Sequence, residues 1–327
     1  MPAEQYRRTC TRIGIAVLLN TLLLQVLTTI VYMTTPIAES GIRDYARANN
    51  IDPDQFFYAF EETLALAVYL VSFLIPVFIF MIMSRKDGRE PMRLEVRLEP
   101  EAPLVIIAAI GTILIASYFN SMMVSFIDFS AILESDPIDT PVKILLSFIS
   151  IAIVPAVAEE FLFRGCVLSN LLPYGKTNAL IVSALLFSLM HGNFAQFFYT
   201  FVAGLVLGAV YIETGSIWTS TFIHLFNNFY SIIRQILYER LGESEYANIL
   251  LFSIDVILTV AGLAIGAWLL YKRVKKDEHT DVTMPTKRLV LEKGEAVRGF
   301  FRPVVIAHIV LSLILAMTII LAVLTGI

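Results

Sequence analysis

Long apolar runs alternate with shorter polar stretches along the whole chain. A helix needs about 20 apolar residues to cross the roughly 30 Å core of a bilayer. Nine runs approach or exceed this length: Ile13–Thr34, Phe60–Met83, Pro103–Ile127, Val142–Leu172, Asn178–Met190, Ala195–Ile212, Ser216–Ile233, Ile249–Tyr271 and Pro303–Leu324. No repeat or low-complexity tract divides the series. The pattern predicts an all-α polytopic bundle of about nine transmembrane helices, forming a single membrane domain over residues 1–327.

The composition agrees with a multi-pass protein of a cell membrane. Hydrophobic residues make up 57% of the chain and charged residues 16%, whereas soluble domains average about 45–50% and about 25%. The net charge of −4 disfavours a nucleic-acid partner, because a phosphate backbone is bound by a basic surface. Two cysteines, Cys10 and Cys166, are too few for a disulfide framework and match no metal-binding spacing. The expected surroundings of the chain are therefore the lipid bilayer.

The distribution of lysine and arginine predicts how the chain crosses the membrane. Basic residues concentrate in cytoplasmic loops of membrane proteins. They cluster here in the N-terminal arm, after the second apolar run, and in residues 272–302, whereas the stretches from Glu39 to Asp54 and from Asp128 to Asp139 are acidic. With nine spans, this bias places the N-terminus in the cytoplasm and the C-terminus outside. Residues 272–302 are then a basic cytoplasmic loop.

The fourth apolar run contains three charged residues, Glu159, Glu160 and Arg164. A charge near the bilayer centre costs roughly 2.5–3.5 kcal/mol on insertion scales, so such residues usually have a function. Glu160 and Arg164 have the i,i+4 spacing of a helical ion pair. Glu159 is rotated from Glu160 by about 100° and needs a different partner. The alternative is a buried ion cluster that only fixes helix packing.

Two histidines follow in later apolar runs. His191 comes directly after the fifth run, and His224 precedes Asn228 by one helical turn. At about 1.5 Å per residue, Glu159 and His191 lie about 20 Å and His224 about 12 Å from the cytoplasmic ends of their helices. The active site is therefore expected within the cytoplasmic half of the bilayer. Alternatively, His191 only caps its helix, and Asn228 only bonds a neighbouring helix.

A carboxylate with two histidines suits hydrolysis in two ways. Glu159 can act as general base on a water that His191 orients, while His224 and Asn228 stabilise the oxyanion. Alternatively, Glu159, His191 and His224 can bind zinc with an open position for water. No His-Glu-x-x-His helix is present, so zinc as a cofactor is suggested by residue types alone. The spacing leaves both mechanisms open.

Taken together, the three motifs resemble those of a known family. Glu-Glu-x-x-x-Arg, Phe-x-x-x-His and His-x-x-x-Asn, in this order on successive membrane helices, resemble the CPBP family of intramembrane proteases, which includes the type II CAAX prenyl endopeptidases and the Abi or bacteriocin-immunity proteins. The matching residues are Glu159, Glu160, Arg164, Phe187, His191, His224 and Asn228. The resemblance covers residues 141–230 and implies that this segment is the catalytic core.

The resemblance also implies a role for each motif residue. Glu159 with His191 activates water, and His224 with Asn228 stabilises the oxyanion. Glu160 and Arg164 shape the site, and Phe187 is a wall of the pocket. Both a zinc mechanism and a metal-free mechanism are argued for the family, so the resemblance leaves the cofactor open.

The sequence therefore predicts an intramembrane endopeptidase whose partner is a membrane-inserted or lipidated polypeptide, including prenylated CAAX-type substrates. One alternative is a proton- or cation-coupled transporter in which the same carboxylates and histidines form a relay, although no internal repeat supports it. Another is a non-catalytic scaffold or immunity factor of the same family. Outside the motifs, Gly204-x-x-x-Gly208 predicts close helix contact. Asp255 and His308 are single polar groups without a partner visible in the sequence and are left as structural or unexplained.

Overall fold

A computed structural model describes residues 2–85, 92–96, 100–125, 137–242, 244–276 and 289–325. The helices in these ranges are α1 Pro2–Ala48, α2 Pro53–Met83, α3 Ala102–Val124, α4 Pro141–Tyr174, α5 Lys176–Met190, α6 Phe194–Thr214, α7 Ile217–Leu241, α8 Glu245–Lys276, α9 Glu295–Phe300 and α10 Pro303–Thr325. No strand occurs within the described ranges. The predicted all-α polytopic bundle is confirmed.

The number of membrane-crossing helices is smaller than the nine that the sequence predicts. By length and composition, 7 helices of the described chain can cross a membrane: α1, α2, α3, α4, α6, α8 and α10. Helix α5 has only 15 residues, and α7 is long enough but contains His224, Asn227 and Asn228 in its first half. Each predicted run is helical, but the count of nine spans is not confirmed. The two helices that fall short are those at which the histidine motifs occur.

Helix α1 extends well beyond the apolar run that predicted it. The run was expected to end at Thr34 and to be followed by an acidic loop, but the helix continues to Ala48. Arg43 forms an i,i+4 ion pair with Glu39 at 2.7 Å, which stabilises a helix outside the apolar stretch. The predicted loop is thus reduced to the few residues before α2, whose first turn is capped by the Asp52 carboxylate. The sequence prediction was wrong because it ended the helix where the hydrophobicity ended.

The predicted basic loop over residues 272–302 is partly helical. Its first residues complete α8, and its last turn before α10 is the short helix α9. Helix α9 packs beside the start of α1, where Arg7 and Glu295 form an ion pair at 2.8 Å. Several charged residues used for the orientation lie outside the described residues, so the orientation remains a prediction: Lys86, Arg89, Arg97, Asp128, Glu134, Asp136, Lys287 and Arg288.

Helix α4 lies in the middle of the bundle and is irregular. It contacts α2, α5 and α7, whereas α1 packs on α2 and α10, and α3 packs on α6 and α8. Two parts of α4, Phe148–Ile153 and Phe161–Leu168, are π-helical, and the ordinary α-helical part Val154–Glu160 lies between them. π-Helical segments occur frequently at functional sites. Glu159 and Glu160 end this α-helical part.

Two asparagine side chains bind backbone carbonyls of neighbouring helices. A proline has no amide hydrogen for the carbonyl four residues earlier, so Pro76 leaves the carbonyl of Ser72 without its helical donor; Ile151 lies in the π-helical part of α4 that precedes Pro155. Asn20 of α1 donates to the Ser72 carbonyl at 2.9 Å, and Asn228 of α7 donates to the Ile151 carbonyl at 2.9 Å. Each asparagine thereby joins two helices at a backbone group that the bilayer could not solvate.

Candidate active site

Glu160 and Arg164 form the ion pair that their spacing predicts. Both side chains are fully buried, and Arg164 Nε lies 3.1 Å from Glu160 Oε2. Arg164 also donates to the carbonyl of Gly204 at 3.2 Å, and its guanidinium lies 4.8 Å from the centroid of the Phe187 ring. Arg164 therefore connects α4 with α5 and α6 as well as balancing the charge of Glu160.

The contact between α5 and α6 depends on the two glycines predicted for it. A Cβ at Gly204 would lie 3.0 Å from the Cα of Ala184, and a Cβ at Gly208 would lie 2.6 Å from a methyl group of Leu180. The predicted close contact of these helices is confirmed. Because Gly204 has no side chain, the α6 backbone comes near enough to α5 and α4 for its carbonyl to accept from Arg164.

His224 lies between the two carboxylates. Its Nδ1 is 3.1 Å from Glu160 Oε1, and its Nε2 is 3.8 Å from Glu159 Oε2. Glu160 is bound to Arg164 and accepts, so Nδ1 of His224 carries the hydrogen. The 3.8 Å separation is too long for a direct hydrogen bond, but it is a distance across which a water molecule can bridge. Glu160 thus fixes the imidazole ring, and Nε2 is the nitrogen nearest Glu159.

Glu159 has one bound and one unbound carboxylate oxygen. Its side chain is 7% exposed, and its Oε1 accepts a hydrogen bond from the hydroxyl of Tyr69 on α2. Its Oε2 is buried and has no hydrogen-bond partner in the described part of the chain. Buried polar atoms are nearly always paired, so an unpaired carboxylate oxygen beside a histidine is available for chemistry.

Sequence reasoning did not find Tyr69. It stands in the second apolar run, where an aromatic residue is unremarkable, and outside every motif that was identified. No signal in the sequence alone connects it with Glu159, because the two residues belong to helices that are separate in the chain.

His191 has the helix-capping role that was one of the two alternatives for it, and its part in catalysis stays a prediction. It follows the last residue of α5, and its Nδ1 donates to the carbonyl of Phe187 at 2.9 Å, which caps the helix before Gly192 turns the chain at φ 62°. Capping uses one ring nitrogen and leaves Nε2 for chemistry. The Phe187 ring centroid lies 5.2 Å from that of His191 and 5.9 Å from that of His224, so Phe187 is a common wall for both histidines.

Asn228 is largely occupied by bonds to other parts of the protein. Its amide nitrogen donates to the Ile151 carbonyl, and its oxygen accepts from Asn227 at 3.1 Å. Asn227 in turn accepts from the Tyr199 hydroxyl at 2.8 Å. The structure therefore shows the interhelical bond that was the alternative for Asn228. One amide hydrogen remains, and its use in an oxyanion hole stays a prediction.

The predicted zinc ligands are not arranged as a metal site. In the ranges that the structure describes, no three His, Cys, Asp or Glu side chains form a group that could hold a metal ion. His191 and His224 each direct Nδ1 to an oxygen acceptor and leave Nε2 free, as a metal-binding histidine does, but these side chains and Glu159 do not form a group of three ligands around one point. The side chains as placed do not fit a three-ligand zinc centre.

Fold and site together define a class of protein, namely an all-α, multi-pass membrane protein with a buried carboxylate–histidine centre. The model of the Rce1-like family, described as type II CAAX prenyl endopeptidase Rce1-like, matches residues 141–230. This segment runs from the start of α4 into α7, contains every predicted site residue, and confirms the family recognised from the motifs. No curated protein and no solved structure matches the chain. Residues 141–230 are thus similar to the type II CAAX prenyl endopeptidases of this family.

Proposed function

We propose that this protein is an intramembrane endopeptidase that hydrolyses a peptide bond in a membrane-inserted or lipidated polypeptide, prenylated CAAX-type substrates included. The observation that carries the proposal is the unpaired Oε2 of Glu159, buried in the family-matched segment and 3.8 Å from Nε2 of His224. A general base needs an unpaired lone pair beside a group that orients water and a group that stabilises charge. In this proposal His191 is the first neighbour of Glu159 and His224 is the second.

In the proposed reaction, Glu159 Oε2 accepts a proton from a water molecule while the water oxygen attacks the carbonyl carbon of the scissile bond. Nε2 of His191 is free because Nδ1 caps α5. It accepts a hydrogen bond from the second hydrogen of the water and so orients the water, and this hydrogen stays on the oxygen. The new C–O bond produces a tetrahedral oxyanion. Glu159 then returns its proton to the leaving nitrogen as the C–N bond breaks, which releases a carboxylic acid and an amine.

The oxyanion is stabilised by the residues next to Glu159. Nδ1–H of His224 donates to Glu160. When Nε2 also carries a hydrogen, it can donate that hydrogen to the oxyanion while Nδ1–H stays bonded to Glu160. Asn228 contributes the amide hydrogen that the Ile151 carbonyl does not use. Donors held in place before the reaction are effective because no reorganisation accompanies the appearance of charge.

The surroundings of α4 suit a substrate that arrives through the bilayer. Ile153 and Val157, both within two turns before Glu159, are 48% and 38% exposed. In a membrane these side chains contact lipid acyl chains, so one face of the helix that carries Glu159 borders the lipid. An apolar substrate can reach the site from this side, which explains why a polar site is placed within the apolar part of the fold.

The test is peptidase activity of the purified protein in detergent. Prenylated CAAX peptides, the same peptides without prenyl groups, and plain transmembrane peptides are compared as substrates for the wild type, Glu159→Gln and the exposed control Glu245→Gln, with and without chelator. We expect cleavage by the wild type and the control, none by Glu159→Gln, and no effect of chelator. Full cleavage by Glu159→Gln contradicts the assigned base. Cleavage lost with chelator, together with stoichiometric zinc, establishes a metalloprotease. If no peptide of the panel is cleaved, the result favours a non-catalytic scaffold or immunity factor.

A further inference from the structure

Tyr69 contacts the site from outside the family-matched segment. It lies on α2, whereas the match begins at residue 141. Its hydroxyl donates to Oε1 of Glu159, and a tyrosine hydroxyl has a single hydrogen to donate. That hydrogen is directed at one atom of the proposed general base. The other oxygen of Glu159 is the one without a partner.

The ring of Tyr69 is held by its own helix. It stacks on Phe73, one turn later, at a centroid distance of 4.6 Å and an angle of 27°, and Phe73 is 1% exposed. Such stacking limits the movement of the ring and of the hydroxyl at its end. The position of the donor is thus determined by packing within α2.

Helix α2 is in turn held by α1 at the same level. The Ser72 carbonyl, which Pro76 deprives of its helical donor, accepts from Asn20 at 2.9 Å. Asn20 and Ser72 are both fully buried, so this bond joins the two helices three residues from Tyr69. A continuous series of contacts therefore leads from α1 through α2 to Glu159.

We infer that Tyr69 is a positioning residue that gives the two oxygens of Glu159 different roles. The inference rests on the proposed function of Glu159 as general base. Tyr69 holds Oε1 and prevents rotation of the carboxylate, so Oε2 remains next to His224 and acts as the base. A hydrogen bond donated to a carboxylate favours the charged form over the neutral form in general, so the effect of removing the donor can be measured. Tyr69 does not exchange a proton with the substrate.

The consequence is that the working catalytic unit is larger than residues 141–230. The α1–α2 pair supplies a group that the catalytic segment lacks. Shortening the protein to the matched segment removes Tyr69 together with the contacts that hold it.

Tyr69→Phe tests this inference, because it removes the hydroxyl and keeps the ring that stacks on Phe73. Its matched control is Tyr118→Phe, which removes a tyrosine hydroxyl from another buried carboxylate, Asp255. A hydrogen bond to a charged group is worth about 1.5–3 kcal/mol, so we expect kcat to fall about 10- to 100-fold in Tyr69→Phe. We expect KM to change little and the acidic limb of the activity profile to move to higher pH. Tyr118→Phe should keep kcat and the profile of the wild type.

Two further measurements separate a positioning role from a structural one. Tyr69→His keeps a ring donor and should restore part of kcat and of the acidic limb, which a loss of packing does not predict. Infrared difference spectra, with the band of Glu159 assigned by Glu159→Gln, report its ionisation without any turnover. In Tyr69→Phe the protonated-carboxyl band should appear at a higher pH than in the wild type.

These measurements distinguish failure of the inference from failure of the proposed function. A wild-type protein that cleaves nothing counts against the peptidase, while the infrared band still decides whether Tyr69 controls Glu159. Unchanged kcat, or an unchanged titration of the Glu159 band in Tyr69→Phe, overturns the positioning role. If Tyr69→Phe does not fold, Tyr69→His is measured instead. A lowered kcat at wild-type KM, with the protonated-carboxyl band at a higher pH than in the wild type, supports the inference, and a wild-type kcat or a wild-type titration of the band overturns it.

Discussion

Among the buried carboxylates of the described residues, Asp255 and Glu159 differ in how they are bound. Asp255 on α8 is fully buried and has donors on both oxygens: Tyr230 on Oδ1, and Tyr118 and Arg234 on Oδ2, the latter at 2.6 Å. Glu159 on α4 is almost as buried, but only Oε1 has a donor. The first carboxylate is satisfied and the second is not.

This difference is the one expected between a structural carboxylate and the proposed catalytic one. A buried charge whose hydrogen-bonding capacity is used joins its own helix, here α8, to the helices of its donors, here α3 and α7, and has no lone pair for a substrate. A buried carboxylate with one unpaired oxygen retains a lone pair at some cost in stability. Neither burial nor charge distinguishes the two residues, because both properties are shared. The number of donors distinguishes them.

The sequence showed no partner for Asp255 or His308 and left both as structural or unexplained. The structure gives Asp255 three partners, on α3 and α7, and Nδ1 of His308 lies 3.2 Å from the Thr21 hydroxyl of α1. Both residues therefore join helices.

The largest expected effect is on turnover in Glu159→Gln. General acid–base catalysis contributes typically about 10²- to 10⁴-fold. The turnover rate should therefore fall by at least about 10²-fold while the protein remains folded. The measurement is kcat together with the thermal unfolding temperature in detergent. Equal loss of activity in Asp255→Asn would remove the distinction between the two carboxylates.

Arg164→Ala should cause the largest loss of stability. It leaves Glu160 buried without its cation, and breaking one side of a buried ion pair costs about 3–5 kcal/mol. Activity should also fall, because Glu160 orients His224. The matched control is Arg234→Ala, whose side chain is 39% exposed and leaves two tyrosine donors on Asp255. Thermal unfolding of both variants is the measurement, and an equal or larger loss in Arg234→Ala contradicts the prediction.

His224→Ala and Asn228→Ala should separate catalysis from packing. Loss of an oxyanion donor lowers turnover by about 10²- to 10³-fold, and we expect this for His224, which has Nε2 available. Asn228→Ala should lower turnover less than His224→Ala does, and should also lower stability by about 1–3 kcal/mol, because the Ile151 carbonyl loses its donor. Both kcat and thermal unfolding are measured for each. A loss of turnover in Asn228→Ala as large as in His224→Ala, at unchanged stability, contradicts the packing role of the asparagine.

The smallest effect is expected in Tyr118→Phe. It removes one of the three donors of Asp255, and a hydrogen bond to a charged group contributes about 1.5–3 kcal/mol. Arg234 still binds the same oxygen, so the loss should lie at the low end of this range, with peptidase activity unchanged. Thermal unfolding and kcat are measured together, and a loss of activity would indicate that the Asp255 cluster is coupled to the site.

Properties that depend on neighbours within one or two helical turns were readable from the sequence. The apolar runs predicted the helices, and the i,i+4 spacing predicted the Glu160–Arg164 pair. The Gly204-x-x-x-Gly208 pattern predicted a close helix contact, which the structure shows between α5 and α6. The motif residues around Glu159, His191 and His224 were likewise identified, because each motif lies within one helix and its order along the chain is preserved in the fold.

Other properties depend on which helices become neighbours, and the tertiary structure alone decided them. Among these are the hydroxyl of Tyr69 on Glu159, the donors of Asp255, and the Ile151 carbonyl that occupies Asn228. The end of α1 at Ala48 is a different case, because the i,i+4 pair of Arg43 with Glu39 is local and the prediction missed it by following hydrophobicity alone. Hydrophobicity places helices in a bilayer but does not specify their neighbours. Packing and the need to pair every buried polar group select those neighbours.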